Sequence, residues 1–168
     1  MRVAILTVSD AGARGERLDA SGDTIAAWVN LRGYSLAARL LVPDEAEQVA
    51  GAIRSWADHD QADLVLTTGG TGLTPRDITP EATRAVLEKE ASGLAEALRM
   101  SVYPRFHRAA LSRGTAGVRG RTLVVNLPGS PGGVRDGLAV LDDLVAHAVG
   151  LVRGTVTDHA APDPARRP

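Results

Sequence analysis

The ten residues Asp63-Leu64-Val65-Leu66-Thr67-Thr68-Gly69-Gly70-Thr71-Gly72 decide how this chain is interpreted. The first six are typical of a buried strand, and they run directly into a glycine-rich loop. Because glycine has no Cβ atom, such a loop can curl until successive amide N–H groups point at one anion. The loop matches neither the dinucleotide fingerprint nor the phosphate-binding P-loop. A tight turn is an equally good interpretation, although the loop continues as far as Asp77.

Strands and helices alternate on both sides of this segment. Further strands are predicted at Val3–Val8 and Tyr34–Val42. Helices are predicted after a cap at Ser21, over Ala46–Ala57, from Thr79-Pro80 with Thr79 as the capping hydroxyl, over Ser92–Val102 and from Ser130-Pro131. This alternation predicts βαβ units, and therefore an α/β fold whose mostly parallel sheet is covered by helices on both faces.

The last third of the chain is expected to add two strands, Ala109–Val118 and Thr122–Leu127, before the final helix. That helix carries the strongest periodic pattern of apolar residues in the sequence. No linker divides the chain, so residues 1–157 are expected to form one domain. The proline-rich segment 158–168 is expected to be a flexible tail.

Composition excludes several classes of protein. The chain has 168 residues, of which 44% are hydrophobic and 3% aromatic, and its net charge is −1. The near-neutral charge and the few aromatic residues argue against a nucleic-acid partner. The absence of cysteine rules out disulfides and thiolate nucleophiles. With no apolar run long enough for a membrane span, the sequence predicts a soluble, cytoplasmic protein.

Four polar or glycine-containing loops follow predicted strands. They are Ser9–Asp19, Pro43-Asp44, Gly69–Asp77 and Pro128–Pro131. In a parallel sheet, ligands bind beyond the carboxyl ends of the strands, where these loops meet. The same edge of the sheet is therefore the predicted binding site.

Asp44 and Asp77 are the acidic residues of these loops that bear most on chemistry. Asp44 has a structural alternative, since with Glu47 three positions later it resembles a capping box. Asp77 has one too, because an aspartate that closes a proline-containing turn often bonds its own backbone. The functional interpretation is that the two carboxylates hold Mg²⁺, which takes one or two carboxylates and leaves its other positions for water and substrate phosphates.

Helix starts at Ser21 and Ser130 each allow two interpretations. Either serine can be an ordinary N-cap, and either helix can offer free N–H groups to an anion. For the segment Pro128-Gly129-Ser130-Pro131 the two interpretations use the same geometry, so the sequence does not separate them.

Taken together, the motifs resemble those of the molybdopterin adenylyltransferases, the MogA/MoaB-like family that includes the G domain of gephyrin. The motifs are Val8-Ser9-Asp10, Asp19–Gly22, Pro43-Asp44-Glu45, Thr67–Gly72, Pro75–Glu81 and Leu127–Pro131, with further likeness at Gly93-x-x-Glu96-x-x-Arg99 and Leu111-Ser112-Arg113. They occur in order and at family-like spacing over about residues 1 to 153. Each motif is weak alone, but six in register are highly specific.

The resemblance implies a three-layer α/β/α sandwich, usually assembled as a homotrimer. It also implies adenylylation of molybdopterin by ATP, with Mg²⁺ as cofactor and with hand-over of the product to a molybdenum-insertion enzyme. By motif, Asp44 and Asp77 would serve catalysis and magnesium binding. The substrate-binding residues would be Ser9, Asp10, Gly69, Gly70, Thr71, Gly72, Ser112, Gly129 and Ser130. The alternative is a non-catalytic molybdopterin-binding or scaffold module.

Overall fold

A computed structural model of the chain describes residues 1–156. The expected flexible tail, 158–168, lies outside the described residues, as does the predicted domain boundary at 157. Within residues 1–156, no helix combines the length and the apolar character that a membrane crossing needs.

The centre of the molecule is one six-stranded sheet, ordered β2-β1-β3-β6-β5-β4. Its strands are β1 (Arg2–Val8), β2 (Ser35–Val42), β3 (Leu64–Thr68), β4 (Lys89–Glu90), β5 (Ala116–Arg119) and β6 (Thr122–Leu127). β2, β1, β3 and β6 are parallel, whereas β5 and β4 form an antiparallel end. The prediction of a mostly parallel sheet is therefore confirmed.

Helices cover both faces of the sheet. They are α1 (Asp10–Ala13), α2 (Ala20–Leu31), α3 (Ala46–Asp58), α4 (Thr79–Arg84), α5 (Ser92–Val102) and α6 (Pro131–Arg153), together with a 3₁₀ helix at His107–Leu111. One core cluster joins the sheet to α2, α5 and α6, and a second joins it to α3 and α4. The expected three layers are thus present.

The alternation along β1 shows why both faces are covered. Val3 and Ile5 belong to one core cluster, while Ala4 and Leu6 belong to the other. Successive side chains of a strand point to opposite faces, so an unbroken apolar strand requires a layer on each side. Because helices cover both faces of the sheet, ligands are expected at the ends of the parallel strands.

The structure corrects the prediction of a strand over Ala109–Val118. Residues His107–Leu111 form a 3₁₀ helix, and β5 begins only at Ala116. The intervening backbone is held by other segments, because Arg99 Nη1 donates to the Gly114 carbonyl at 2.8 Å and the Arg113 amide donates to the Thr71 carbonyl at 2.9 Å. These contacts between distant residues override the local preference for a strand.

Two predicted helix starts also shift. Asp19, not Ser21, caps α2, since its carboxylate accepts from the Gly22 amide at 2.9 Å. Thr79 is the first residue of α4 and not its cap, which is Ile78. By contrast, Ser130 caps α6 as predicted, accepting from the Gly133 amide at 3.1 Å.

Candidate active site

A cavity of about 710 Å³ opens at the carboxyl edge of the parallel strands, and we call it the rim cavity. All four predicted loops contribute to it. The predicted site residues that line it are Ser9, Asp44, Gly69, Gly70, Asp77, Gly129 and Ser130. Asp44 and Asp77 therefore line one cavity, as magnesium binding by both would require.

Asp44 is held by Asp10, which lies two positions after the end of β1, and not by the helix that follows Asp44. Its Oδ2 accepts from the Asp10 amide at 2.8 Å, and its own amide donates to Asp10 Oδ1 at 3.0 Å. The helix that follows begins at Ala46 with Glu45 as N-cap and without a side-chain cap bond. The capping-box interpretation of Asp44 is therefore wrong.

Asp10 links three loops. Arg76 donates to both of its carboxylate oxygens at 2.9 Å and to Glu45 Oε1 at 2.9 Å. The hydrogen bond from the Arg76 side chain is the main reason why the pKa of Asp10 is lowered. Asp10 is not among the residues that line the rim cavity. In this structure it positions Asp44 and ties Arg76 to the end of β1.

The electrostatic setting of Asp44 favours a cation. Burial raises the pKa of Asp44, and the negative charges of Asp10 and Asp77 act in the same direction. Among residues 1–156, no basic side chain forms an ion pair with Asp44. A half-buried carboxylate without a basic partner is costly, and a bound cation would offset that cost.

Asp77 closes the turn that precedes α4. Its Oδ2 accepts from the Thr74 amide at 2.8 Å and from the Thr74 hydroxyl at 2.6 Å. Burial acts to raise its pKa, but the hydrogen bonds from Thr74 and from the Gly72 amide outweigh burial, so the pKa of Asp77 is lowered. The structural interpretation of Asp77 as a turn residue is confirmed, and the same side chain also lines the rim cavity.

The glycine loop crosses directly over β1. Gly69 and Gly70 have φ values of +96° and +61°, in the region that favours glycine. A Cβ atom on Gly69 would collide with the Val8 carbonyl, and one on Gly70 would collide with the Thr79 hydroxyl. Within the described chain, the amide of Gly70 donates no hydrogen bond, and Gly70 lines the rim cavity, so this amide is available to an anion.

The second half of the loop faces Arg113. The carbonyl of Thr71 accepts from the Arg113 amide at 2.9 Å, and the carbonyl of Gly72 accepts from Arg113 Nε at 2.7 Å. Thr71 and Gly72 are not among the residues that line the rim cavity. The structure thus separates the predicted loop into a half beside the cavity and a half anchored to the segment after the 3₁₀ helix.

Ser112 lies in a different cavity, of about 350 Å³, which we call the α5 cavity. Its walls are mainly apolar and include Leu98, Val102 and Phe106. Ser130, at the start of α6, borders both cavities. The two cavities are therefore neighbours on either side of this helix terminus, where free N–H groups favour negative charge.

Asp19 and Ser21 line the rim cavity although sequence reasoning did not select them. Asp19 accepts from the Thr7 hydroxyl at 3.0 Å, and Ser21 donates to the Gly129 carbonyl at 2.8 Å. The signal was present in the Asp19–Gly22 motif. It was hidden because an aspartate or serine at a helix start is explained equally well as a cap.

Asp44 and Asp77 fit a magnesium ion whose remaining ligands come from a substrate and from water. Residues 1–156 contain no cluster of three or more potential metal-ligating side chains. Two carboxylates facing one cavity match the pattern of Mg²⁺ held by one or two carboxylates with phosphates completing its shell. A resident structural metal such as zinc would require more ligands than this site offers.

Comparison with known proteins gives consistent matches. Residues 4–147 match a family profile described as "Probable molybdopterin binding domain". The molybdopterin adenylyltransferase of Helicobacter pylori is 36% identical over 158 residues, which cover 92% of this chain and 89% of that protein. The molybdenum cofactor synthesis protein cinnamon of Drosophila melanogaster is 38% identical, and the match covers 91% of this chain but only 26% of that protein.

Solved structures give the same result. The crystal structure of the molybdopterin biosynthesis enzyme MoaB from Thermus thermophilus superposes with a TM-score of 0.86 at 52% identity. That superposition covers 91% of this chain and 96% of the Thermus chain. At 52% identity, about half of the aligned residues are the same in the two chains, so the similarity includes the sequence as well as the fold.

Proposed function

Because this chain belongs to the MogA/MoaB family of molybdenum cofactor biosynthesis, we propose that it transfers the adenylyl group of ATP to molybdopterin. An oxygen of the terminal phosphate of molybdopterin attacks the α-phosphorus of ATP. A new P–O bond forms there as the bond to the β-phosphate breaks, and pyrophosphate leaves. The products are adenylyl-molybdopterin and pyrophosphate.

The observation that carries this proposal is the pair of carboxylates in the rim cavity, neither of which forms an ion pair with a basic side chain of the described chain. The reaction brings two anions together, so its main demands are charge neutralisation and alignment. A cavity that combines the free Gly70 amide, a helix terminus and two carboxylates without basic partners meets both demands when a divalent cation is shared with the phosphates.

Asp44 and Asp77 would hold Mg²⁺. When bound, that ion supplies the positive charge that offsets the phosphates and draws electron density from the breaking bond. The protein contributes fixed geometry. The Asp10 amide orients Asp44, and the turn at Thr74 orients Asp77, so neither carboxylate has to be ordered when substrate arrives.

The substrates divide between the cavities in this proposal. The phosphates occupy the rim cavity beside Gly69, Gly70 and Gly129, with Ser9 and Ser130 as hydroxyl donors. The flat, largely apolar face of the pterin ring suits the α5 cavity, where Ser112 would contact it. Asp10, Thr71 and Gly72 act behind the cavity surface, through Asp44 and Arg113.

Assembly and pathway complete the proposal. We propose a homotrimer that hands its product to a molybdenum-insertion enzyme and works in the cytoplasm, where ATP and Mg²⁺ are available. Exposed apolar side chains on α5 and the adjoining 3₁₀ helix, Met100 and Leu111, support an assembly in which neighbouring subunits cover this surface.

A non-catalytic molybdopterin-binding or scaffold module is the second candidate. The relative at 52% identity is named a molybdopterin biosynthesis enzyme without a stated reaction, whereas the relatives named as adenylyltransferases are 36% identical, so the reaction itself is named only for more distant relatives. A binding module would keep both cavities but would not need unpaired carboxylates.

An adenylylation assay separates the two candidates. The purified chain is mixed with molybdopterin, ATP and Mg²⁺, and the Helicobacter pylori enzyme is run in parallel as the positive control. We expect adenylyl-molybdopterin and pyrophosphate in equal amounts, and no product when Mg²⁺ is removed by chelation. Tight molybdopterin binding with no product, while the control enzyme is active, would favour the binding module and refute the enzyme.

A further inference from the structure

The hydroxyl of Thr79 is fully buried and makes no hydrogen bond to any group of residues 1–156. Its backbone is well held, since the Thr79 amide donates to the Gly70 carbonyl at 3.0 Å. A buried hydroxyl without a partner opposes folding, and such groups are rare in native proteins. The unpaired hydroxyl therefore calls for a physical reason.

Other buried threonines of this chain show how the fold normally treats such groups. Thr67 and Thr83 both accept from the side chain of Asn126, at 2.9 Å and 3.0 Å. The Thr122 hydroxyl donates to the Ala62 carbonyl at 2.7 Å. Thr79 differs from all three, although Thr83 lies one turn later on the same helix, α4.

The neighbourhood of the Thr79 hydroxyl contains an acceptor that also lacks a partner. Asp44 Oδ1 lies 2.9 Å from the position that a Cβ atom on Gly70 would occupy, and the Thr79 hydroxyl lies closer still to that position. Asp44 Oδ2 is bonded to the Asp10 amide, whereas Oδ1 accepts no hydrogen bond within residues 1–156. Both oxygens therefore border the space beside Gly70 that a side chain at this position would occupy.

We propose that Thr79 is a positioning residue of the rim cavity, whose hydroxyl donates to Asp44 Oδ1, directly or through one water molecule, when the phosphates and their cation are bound. Each oxygen of Asp44 would then have one protein donor, Asp10 for Oδ2 and Thr79 for Oδ1. This fixes the plane of the carboxylate and leaves a lone pair of each oxygen directed towards the cavity. Thr79 acts through Asp44 and does not touch the substrate.

This inference rests on the proposed function, because it assigns Asp44 to the cation. It also explains two sequence features together. Gly70 is required because a side chain there would separate Thr79 from Asp44. A threonine is required at the start of α4 although it does not cap that helix.

The test compares Thr79→Val with Thr83→Val, because valine has the shape of threonine without its hydroxyl. Three quantities are measured: the urea midpoint of the unliganded chain, the affinity for Mn²⁺ with α,β-methylene ATP by electron paramagnetic resonance, and the adenylylation rate. For Thr79→Val we expect a midpoint equal to or above that of the wild type, with Mn²⁺ affinity and rate each reduced about tenfold. Thr79→Ser should restore both within about twofold of the wild type.

Thr83→Val should give the opposite result, a lower midpoint with unchanged Mn²⁺ affinity, because it removes a hydroxyl that is already bonded to Asn126. The inference is overturned if Thr79→Val binds Mn²⁺ as the wild type does. It is also overturned if Thr79→Val fails to fold or is less stable and Thr79→Ser does not rescue affinity, since the hydroxyl would then be merely structural. A wild-type chain that neither binds Mn²⁺ nor forms product would instead overturn the proposed function and this inference with it.

Discussion

The two edges of the parallel sheet both carry paired aspartates, but they treat these charges in opposite ways. At the amino edge, where β1 and β3 begin, Asp60 and Asp63 lie among Arg2 and Arg153. At the carboxyl edge, Asp44 and Asp77 line the rim cavity. The comparison is informative because residue type and sheet position are similar at both edges, while the partners differ.

At the amino edge both of these carboxylates have a guanidinium. Arg2 Nη2 lies 2.7 Å from Asp63 Oδ1, and Arg153 Nη1 lies 3.0 Å from the same oxygen. Arg153 is also 2.6 Å from Asp60 Oδ1, and its hydrogen bond is the main reason why the pKa of Asp60 is lowered to about 2. Two acids and two bases neutralise one another, which is the pattern of a structural network.

At the carboxyl edge, Arg76 pairs with carboxylates other than Asp44 and Asp77. Arg76 pairs with Asp10 and Glu45, and the backbone amide of Asp10 is left to hold Asp44. Burial therefore raises the pKa of Asp44 where arginines lower that of Asp60. A shifted aspartate pKa therefore does not by itself indicate a functional site. The residues that cause the shift must also be known, because arginine partners indicate a structural network.

The largest expected effect comes from Asp44→Asn, which tests whether the unpaired carboxylate does chemistry. Asparagine keeps an oxygen for the Asp10 amide but loses the charge that would hold the cation. The adenylylation rate should fall at least about 100-fold. The free energy of unfolding should stay the same or rise, because a half-buried charge without a basic partner is removed. A rate within about threefold of the wild type would show that the carboxyl edge is no more functional than the amino edge.

Asp77→Asn is expected to have a smaller effect at the same edge. The asparagine oxygen still accepts from the Thr74 amide, so the turn before α4 is kept. We expect molybdopterin binding within about twofold of the wild type and a rate lowered about 30-fold, since only charge at the cation is lost. Equilibrium binding and single-turnover rates measure the two quantities separately. Loss of binding together with rate would mean that Asp77 shapes the cavity and does not hold the cation.

Asp63→Asn tests whether the charge at the amino edge has a purely structural role. Asp63 is 8% exposed and also accepts from the Arg2 amide at 2.7 Å. Removing its charge leaves Asp60 to face both Arg2 and Arg153, and should lower the free energy of unfolding by roughly 1–3 kcal/mol. Urea denaturation measures this loss. The adenylylation rate of the folded variant should equal that of the wild type, and a reduced rate would contradict the division between the edges.

The carboxyl edge was predictable from the sequence because strand order along the chain fixes where loops meet. Four loops that follow strands must share one edge of a parallel sheet, whatever their individual conformation. This is why Asp44 and Gly70, 26 positions apart in the printed sequence, were expected together and are found in one cavity. The amino edge gave no such signal, since Arg2 and Arg153 meet only after the whole chain has folded.

Side-chain partners could not be predicted. The pattern Asp44-x-x-Glu47 has the spacing of a capping box, but Asp44 turns towards Asp10, 34 positions earlier. Ala109–Val118 has the composition of a strand, yet Arg99 and Thr71 hold its first half in another shape. In each case long-range hydrogen bonds overrode the local conformational preference, because such a preference is small in free energy.

The smallest expected effect concerns acid denaturation, where the two edges should act with opposite sign. The pKa of Asp60 is about 2 in the folded chain against an ordinary value of 3.8, so its ionised form stabilises the fold. That contribution is complete above about pH 4 and is lost as the pH falls through about 2. Asp60→Asn should therefore flatten the loss of stability between these two pH values. Because the pKa of Asp44 is raised above 3.8, its protonation favours the folded state as the pH falls towards that value, so Asp44→Asn should slightly steepen the loss of stability above about pH 4. Urea midpoints measured at half-unit pH intervals test both variants. If both variants changed the slope of stability against pH in the same direction, the two edges would not differ in how they hold their charges.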